Sequence, residues 1–261
     1  MLPCLLTDTV TSDIDRSLHY TLLWGLESVE LRTVGGPGDR VPFVNEAKLK
    51  RRLAELDVPV AAIVPGLFEG AANDRVEWLN EIAVFGETLQ FCKRIGCGIV
   101  VVSAFLPGAG ESIDSVVDAL SRAGREAARQ NVRIAVLNEH EMGFPTGAAL
   151  ADLLARVNLT NVGAAWNPVA AVRNGENPEE GLTALSGRVF LVRCTDGGLA
   201  SGGWAYKPLG EGSVDWPRQL RLLHGQGFSG PLSLEVHLKP APKTGLRDAT
   251  TLIRLIRGLK T

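Results

Sequence analysis

Residues 208–237 read PLGEGSVDWPRQLRLLHGQGFSGPLSLEVH, a stretch in which one helix pattern leads into one strand pattern. Apolar residues recur at helical spacing from Trp216 to Gln226, which predicts an amphipathic helix. A turn rich in glycine follows, and the short run Leu232–His237 then predicts a strand. Helices and strands that alternate in this way are typical of a parallel sheet.

The same alternation extends outward over the rest of the chain. Eight short apolar runs predict strands, at Leu2–Leu6, Ser28–Arg32, Val58–Val64, Gly98–Ser103, Arg133–Asn138, Val162–Asn167, Val189–Arg193 and Leu232–His237. Eight helix patterns accompany them, at Asp13–Leu26, Glu46–Leu56, Asp74–Ile95, Ser112–Gln130, Ala148–Val157, Pro178–Leu185, Trp216–Gln226 and Arg247–Leu259. Eight strand and helix repeats in 261 residues match the size of a closed (β/α)8 TIM barrel.

An open doubly wound sheet of about six to eight strands is the alternative architecture. The closed barrel is preferred because the strand count is eight and because no G-x-G-x-x-G motif opens a helix after an early strand. No linker or shift in composition divides the chain, so residues 1–261 are predicted to form a single domain.

Composition excludes several classes of partner. Lys and Arg number 27 against 29 Asp and Glu, and a net charge of −2 provides no field to attract nucleic acid. No apolar run reaches the roughly 20 residues that a membrane span needs. The four cysteines form no C-x-x-C pair and no secretory signal pattern precedes them, which predicts a reducing, cytoplasmic location.

Candidate functional residues are expected where the predicted strands end. The junctions Arg32–Asp39, Pro65–Gly70 and Thr195–Gly203, each leading from a strand towards a helix, are rich in glycine, proline or acidic residues. Barrel enzymes place their active sites on this face, because the loops there vary without disturbing the packed layers below.

Three segments resemble the xylose-isomerase-like barrel superfamily, which contains sugar phosphate isomerases and epimerases. Pro208–Trp216 and Gly227–Glu235 are similar to the "PLGEG-x-VD" loop and the "GY-x-G-x-L-x-x-E" segment of the last strand. Gly25–Arg32 resembles a second strand ending in Glu-Leu, and Asn161–Pro168 resembles the sixth strand, "NVG-x-x-x-D-P-G-H". The apurinic endonucleases of this superfamily are set aside, because their zinc cluster needs more histidines than the four present.

The resemblance implies a divalent cation held by a Glu, an Asp, a His and a Glu at the ends of strands five to eight. Glu235 matches the last of these ligands. The other three positions fall on Leu137, Asn167 and Arg193. Because a guanidinium has no lone pair and stays cationic, Arg193 repels a metal ion rather than binding it. No metal cofactor is therefore expected.

The Arg193 guanidinium is instead predicted to occupy roughly the place of the metal. By strand parity Glu139 faces the same side as Leu137, so it can return a carboxylate to the lumen. We expect Glu235 and Glu139 to flank Arg193 and Asn167 to complete a hydrogen-bonded ring. An oxygen-rich Mg²⁺ or Mn²⁺ site formed by Glu139, Asn167, Glu235 and water is the alternative.

Four more residues are predicted to contact substrate. Glu30, at the end of the second strand, either binds substrate hydroxyls or holds the loop that follows it, and Asn167 either contacts a ligand or caps the next helix. His237 lies on the face of its strand that carries Glu235 and can relay a proton. Lys207 is a candidate for an acidic substrate group. The neighbouring aromatic residues of the seventh loop, candidates for a pocket wall or a mobile lid, are Trp204 and Tyr206.

The resemblance implies an isomerase or epimerase that moves a proton on a carbon next to a carbonyl in a small, sugar-like substrate. Glu235 and Glu139 are the acid and base candidates, and Arg193 is the electrophile. The alternative is a barrel that has lost the metal and catalysis and binds a sugar-like ligand or serves a structural role. A homo-oligomer is left open, because barrels of this size often pair through helix faces and rim loops.

Overall fold

The computed structural model describes residues 1–72, 75–107 and 113–259. Within these ranges, eight parallel strands close into a barrel in the order β1, β10, β7, β6, β5, β4, β3, β2. The strands of the barrel are β1 (Leu2–Leu6), β2 (Ser28–Leu31), β3 (Val60–Ile63), β4 (Ile99–Val102), β5 (Arg133–Leu137), β6 (Val162–Trp166), β7 (Val189–Cys194) and β10 (Pro231–Leu234). The predicted (β/α)8 TIM barrel is thus confirmed.

Helices lie between the strands and cover the outside of the barrel. In the described ranges they are α1 (Ile14–Leu23), α2 (Glu46–Leu56), α3 (Arg75–Ile95), α4 (Ile113–Arg129), α5 (Gly147–Val157), α6 (Pro168–Arg173), α7 (Pro178–Ala184), α8 (Trp216–Gly225) and α9 (Ala241–Arg257). None of the described helices is both long and apolar enough to cross a membrane. The helix starts predicted at Asp74 and Ser112 lie outside the described residues.

The structure differs from the predicted elements in the last third of the barrel. Helix α9 begins at Ala241 rather than at Arg247, because Pro242 lies in its first turn, where a missing N–H costs nothing. The short helix α6 follows β6 directly. The loop after β7 folds into an antiparallel hairpin of β8 (Asp196–Ala200) and β9 (Gly203–Lys207), which periodicity did not predict.

The barrel lumen is divided into an apolar and a polar part. Seven buried residues from β3 to β7 form one apolar cluster inside it, namely Ala62, Ile99, Val101, Ala135, Leu137, Ala165 and Leu191. Four buried polar side chains come from β2, β10 and the carboxyl end of β7, namely Ser28 and Glu30 from β2, Arg193 from β7 and Ser233 from β10. A charged group can remain in this interior only when its partners are also inside.

Candidate active site

A cavity of about 320 Å³ opens at the carboxyl ends of the barrel strands. We call it the Glu139–Glu235 cavity. Loops after β5 and β6, the hairpin strand β9 and the segment after β10 provide its walls, with the lining residues Glu139, His140, Glu141, Met142, Asn167, Val169, Ala170, Arg173, Tyr206, Glu235 and His237. Its position is the one at which barrel loops normally form an active site.

The buried side chain of Asn138 ties together the loops that follow β5 and β6. Its side-chain amide donates to the backbone carbonyls of Pro145, at 3.1 Å, and Asn167, at 2.9 Å. Its side-chain oxygen accepts from the backbone N–H of Asn167 at 2.7 Å. Because Asn138 immediately precedes Glu139, these bonds fix the loop that carries the Glu139 carboxylate next to the loop that starts α6.

Arg193 lies on the floor of the site, in the polar part of the lumen. Its two terminal nitrogens donate to the two carboxylate oxygens of Glu30 at 2.6 and 2.8 Å. The Ser233 hydroxyl also donates to Glu30. Arg193 is 2% exposed and Glu30 is fully buried, so this is a desolvated, bidentate ion pair. Burial opposes ionisation of Arg193, but the Glu30 and Glu235 charges outweigh it and raise its pKa.

Glu235 lies between this buried cation and the cavity rim. Its Oε2 atom is 3.7 Å from Arg193 Nε and 3.5 Å from His237 Nε2. The His237 ring stacks on Tyr206 with 3.7 Å between ring centroids, and this contact orients the imidazole beside the carboxylate. As strand parity predicts, Ser233, Glu235 and His237 follow one another on the same side, from the lumen to the rim.

Two of the three carboxyl groups that line the cavity, those of Glu139 and Glu235, have opposite pKa shifts. Burial raises the pKa of Glu139, and the Glu235 charge adds to this effect. Burial also opposes ionisation of Glu235, but the His237 hydrogen bond and the Arg193 charge outweigh it and lower its pKa to about 2. Such a pair is characteristic of sites in which one carboxyl group exchanges protons while the other stays ionised.

The sequence profile described as "Xylose isomerase-like TIM barrel" matches residues 20–256. The chain belongs to this family. No curated protein sequence matches it. Solved xylose isomerase-like barrels agree with it in fold at low sequence identity.

One similar structure is the probable 3-DHS dehydratase AsbF from Bacillus anthracis, with a TM-score of 0.81, 14% identity and coverage of 97% of this chain and 99% of that one. The IOLI protein with a zinc atom has a TM-score of 0.80, 19% identity and 99% coverage of both chains. The 3-keto-D-glucoside 4-epimerase YcjR from E. coli has a TM-score of 0.75, 16% identity and coverage of 97% and 99%. At these identities the likeness shows the shared fold alone.

The residues at the expected metal position do not fit a divalent cation. Leu137 belongs to the apolar lumen cluster, and Arg193 brings a buried positive charge. The Asn167 side-chain oxygen accepts from the backbone N–H groups of Val169 and Ala170. Only Glu235 keeps the expected ligand chemistry. Among the described residues, no group of three or more His, Cys, Asp or Glu side chains is placed to hold a metal ion.

Three expectations about individual residues need correction. Glu30 is fully buried under Arg193 and Ser233, so it cannot touch a substrate in the cavity. Asn167 caps α6, which is one of the two roles predicted for it, but it does not complete a ring around Arg193. Lys207 does not line the cavity, because side chains alternate along β9 and Tyr206 takes the inward direction.

Arg173 is the lining residue that sequence reasoning missed. It ends the short helix α6, and its guanidinium lies 5.5 Å from the Trp204 ring. The only sequence signal for it is the Asn-Pro pair at 167–168, which starts a helix immediately after the sixth strand. Asn138 was also not identified, because a buried Asn gives no periodic signal that separates it from other strand ends.

Proposed function

We propose that this protein is a sugar isomerase-like or epimerase-like enzyme that transfers a proton next to a carbonyl group without a divalent cation. The observation that carries the proposal is the pair of carboxyl groups with opposite pKa shifts in one cavity above a buried guanidinium. Membership of the xylose isomerase-like family supports the substrate class, and the solved relatives named as epimerases are compatible with it.

Glu139 is the proton acceptor in this proposal. Its raised pKa makes its ionised form a stronger base than an exposed carboxylate. It removes the proton from the carbon next to the substrate carbonyl, and the electron pair of that C–H bond forms the carbon–carbon double bond of an enediolate. Return of the proton to the neighbouring carbon gives an isomer, provided that the hydroxyl proton of the first carbon passes to the former carbonyl oxygen. Protonation of the same carbon from the opposite face, by an acid other than Glu139, gives an epimer.

Hydrogen-bond donors of the cavity stabilise the enediolate oxygen. Arg173 lines the cavity, and His237 presents an imidazole N–H donor beside Glu235. Arg193 acts one layer below, because both of its terminal nitrogens are bound to Glu30. Its charge keeps Glu235 ionised, and Glu235 in turn accepts hydrogen bonds from substrate hydroxyls and lies 3.5 Å from His237 Nε2.

The test is exchange of substrate C–H for C–D in D₂O, followed by NMR over a panel of keto and aldo sugars. The protein is purified without added metal, and its metal content is measured by mass spectrometry. Wild type is expected to exchange in EDTA, and Glu139→Gln to lose at least about 100-fold in rate. Glu126→Gln, an exposed residue on the outer helix α4, is the matched control and should exchange like wild type.

A non-catalytic barrel that binds a sugar-like ligand is the second candidate. The specific observation in its favour is that Arg193, predicted as the electrophile, has both terminal nitrogens occupied by Glu30. Binding of a sugar with no exchange in wild type would establish this alternative. Exchange that appears only after addition of Mg²⁺ or Mn²⁺ would contradict the metal-free mechanism.

A further inference from the structure

A second cavity, of about 300 Å³, opens at the carboxyl ends of β1 and β2. We call it the Arg32–Arg40 cavity. Its lining includes Asp8 and Ser12 from the segment after β1, and Arg32, Thr33, Gly36 and Arg40 from the loop between β2 and α2. It therefore lies on the same face of the barrel as the Glu139–Glu235 cavity, but it uses different strands.

Asp8 and Arg32 form the inner wall of this cavity. Asp8 Oδ2 accepts from Arg32 Nε and from the Thr33 hydroxyl, both at 2.9 Å. Asp8 Oδ1 is buried and has no hydrogen-bond partner among the described residues. A buried acceptor without a donor costs free energy, so this oxygen calls for a donor group from outside the chain.

Arg32 also retains unused donors. Its hydrogen bond to Asp8 uses only Nε, and its side chain is 34% exposed. Within the described ranges no carboxylate or carbonyl accepts from its two terminal nitrogens. Because the Nε edge is anchored, the terminal N–H groups are held in a defined direction, as bidentate recognition of an anion requires.

Arg40 forms the outer wall and is held from three sides. Its Nε donates to the Val64 carbonyl at 3.4 Å, and Nη2 donates to Glu69 at 3.1 Å. Its guanidinium packs directly on Gly66, where any Cβ would collide with it. Gly66 has a φ of +76°, which glycine adopts without strain, and its lack of a Cβ leaves room for the guanidinium. The remaining nitrogen, Nη1, has no acceptor in the described part of the chain.

We propose that the Arg32–Arg40 cavity binds the anionic group of a polyhydroxylated ligand. Arg32 and Arg40 donate to the oxygens of a carboxylate or phosphate, and Asp8 Oδ1 accepts from a neighbouring hydroxyl of the same molecule. Asp8 and Glu69 each pair with one of the two arginines, so the local charges are balanced. The unused N–H groups of Arg32 and Arg40 favour the oxygens of an anion, and the unpaired Asp8 Oδ1 favours an adjacent hydroxyl.

This site deepens the proposed function and rests on it for the reacting end of the ligand. Arg32 is near enough to the other cavity for its charge to contribute to the lowered pKa of Glu235. A substrate that spans the two cavities would place its acidic end on Arg32 and Arg40 and its carbonyl end beside Glu139. The substrate class is then a sugar phosphate or a sugar acid rather than a neutral sugar.

Direct binding of small anions tests the site without any assumption about turnover. Inorganic phosphate, glycolate and acetate are titrated at millimolar concentrations into isotope-labelled protein, and NMR follows the Thr33 and Gly36 amides and the arginine Nε–H groups. Phosphate or glycolate should shift these signals. Glycolate should bind about fivefold more tightly than acetate, because only glycolate carries a hydroxyl that can donate a hydrogen bond to Asp8.

Arg40→Gln should weaken anion binding about tenfold, because it removes one charged donor. Arg51→Gln, an exposed arginine of α2 with a 68% exposed side chain, is the matched control and should bind like wild type. A preference for phosphate identifies a phosphate ester and a preference for glycolate identifies a hydroxy acid. Absence of shifts, or binding equally tight in Arg40→Gln, would overturn the proposal.

The two proposals fail independently. If the protein binds anions but catalyses no C–H exchange, the anion site stands and the proposed enzymatic activity is wrong. If the protein catalyses exchange on neutral sugars but binds no anion, the enzymatic activity stands and the proposed anion site is wrong.

Discussion

At the scale of single residues, the buried pair of Arg193 and Glu30 dominates the energetics of the site. Neither side chain reaches solvent, and the Ser233 hydroxyl binds the same carboxylate. The attraction offsets a desolvation cost of several kcal/mol for each ion, so the pair as a whole adds little net stability. Removal of one partner leaves the other charge buried and alone, which is far more costly.

Replacing Arg193 with Met is therefore expected to lower the free energy of unfolding by about 3–5 kcal/mol, because Glu30 then lacks its counter-ion. Urea unfolding followed by circular dichroism measures the loss. The double variant Arg193→Met/Glu30→Met should recover at least half of it. A loss below about 1 kcal/mol in the single variant would show that Glu30 is neutral or solvated.

The Glu235 carboxylate is expected to make stability pH-dependent. Its pKa is lowered from 4.5 to about 2 in the folded chain, so its ionised form stabilises the fold at pH above 4.5. This contribution, about 3 kcal/mol, is lost as the pH falls from 4.5 to about 2.

The measurement for Glu235 is the difference in unfolding free energy between wild type and Glu235→Gln across this pH range. The difference should shrink as the pH falls. The corresponding difference for Glu126→Gln, an exposed control, should stay nearly flat. A Glu235→Gln difference that is constant with pH would mean that Glu235 has an ordinary pKa.

At the scale of elements, the β8–β9 hairpin closes one side of the Glu139–Glu235 cavity and depends on Asp196. Asp196 Oδ1 accepts from the backbone N–H groups of Gly197 and Val214, and Oδ2 accepts from that of Gly210. These bonds join the base of the hairpin to the loop before α8. The hairpin in turn presents Tyr206, on which the His237 ring stacks.

Asp196→Ala is predicted to loosen the hairpin while the barrel stays folded. Three backbone N–H groups lose their acceptor, so hydrogen exchange of Gly203–Lys207 and residues 210–214 should accelerate about tenfold or more. Exchange in the barrel strand β5 is the internal control and should not change. Equal acceleration in both places would indicate global destabilisation rather than release of one element.

At the scale of the whole molecule, the barrel collects charges from distant segments at one end. Two cavities with different charge patterns open there. One is lined by three carboxyl groups and one guanidinium group, and the other by two guanidinium groups and one carboxyl group. The lumen beneath holds the Arg193–Glu30 pair where the xylose isomerase-like resemblance implies a metal ion. The two proposals together assign this end of the barrel to an anionic, hydroxylated ligand that is bound without a metal ion.

Divalent cations are accordingly expected to leave the molecule unchanged. Thermal unfolding in EDTA and after addition of Mg²⁺, Mn²⁺ or Zn²⁺ should give the same melting temperature within about 1 °C, because a ligand that binds the native state would raise it. Metal content should be substoichiometric by mass spectrometry. A melting temperature raised specifically by one cation would restore a metal site at Glu235 and Glu139.

Much of the fold could be predicted because its signals are local. Each strand is a short apolar run and each helix a periodic stretch, so counting them was sufficient for the (β/α)8 barrel. The hairpin after β7 was not predicted, because its strands contain several glycines and pair with each other rather than with the barrel. The short helix α6 was not predicted either, because a segment of six residues is too short to show a helical period.

The sequence by itself determined which residues lie at the strand ends and which side of a strand they face. Together with the family resemblance, it predicted that Glu139, Arg193, Glu235 and His237 belong to one end of the barrel. Only the tertiary structure decided which of them pair. Arg193 binds Glu30, 163 residues away, because closure of the sheet leaves only β1 and β10 between β2 and β7 and lets the two side chains meet inside the lumen. Strand parity is a property of the local backbone, whereas a contact across the lumen depends on the closure and tilt of the whole barrel.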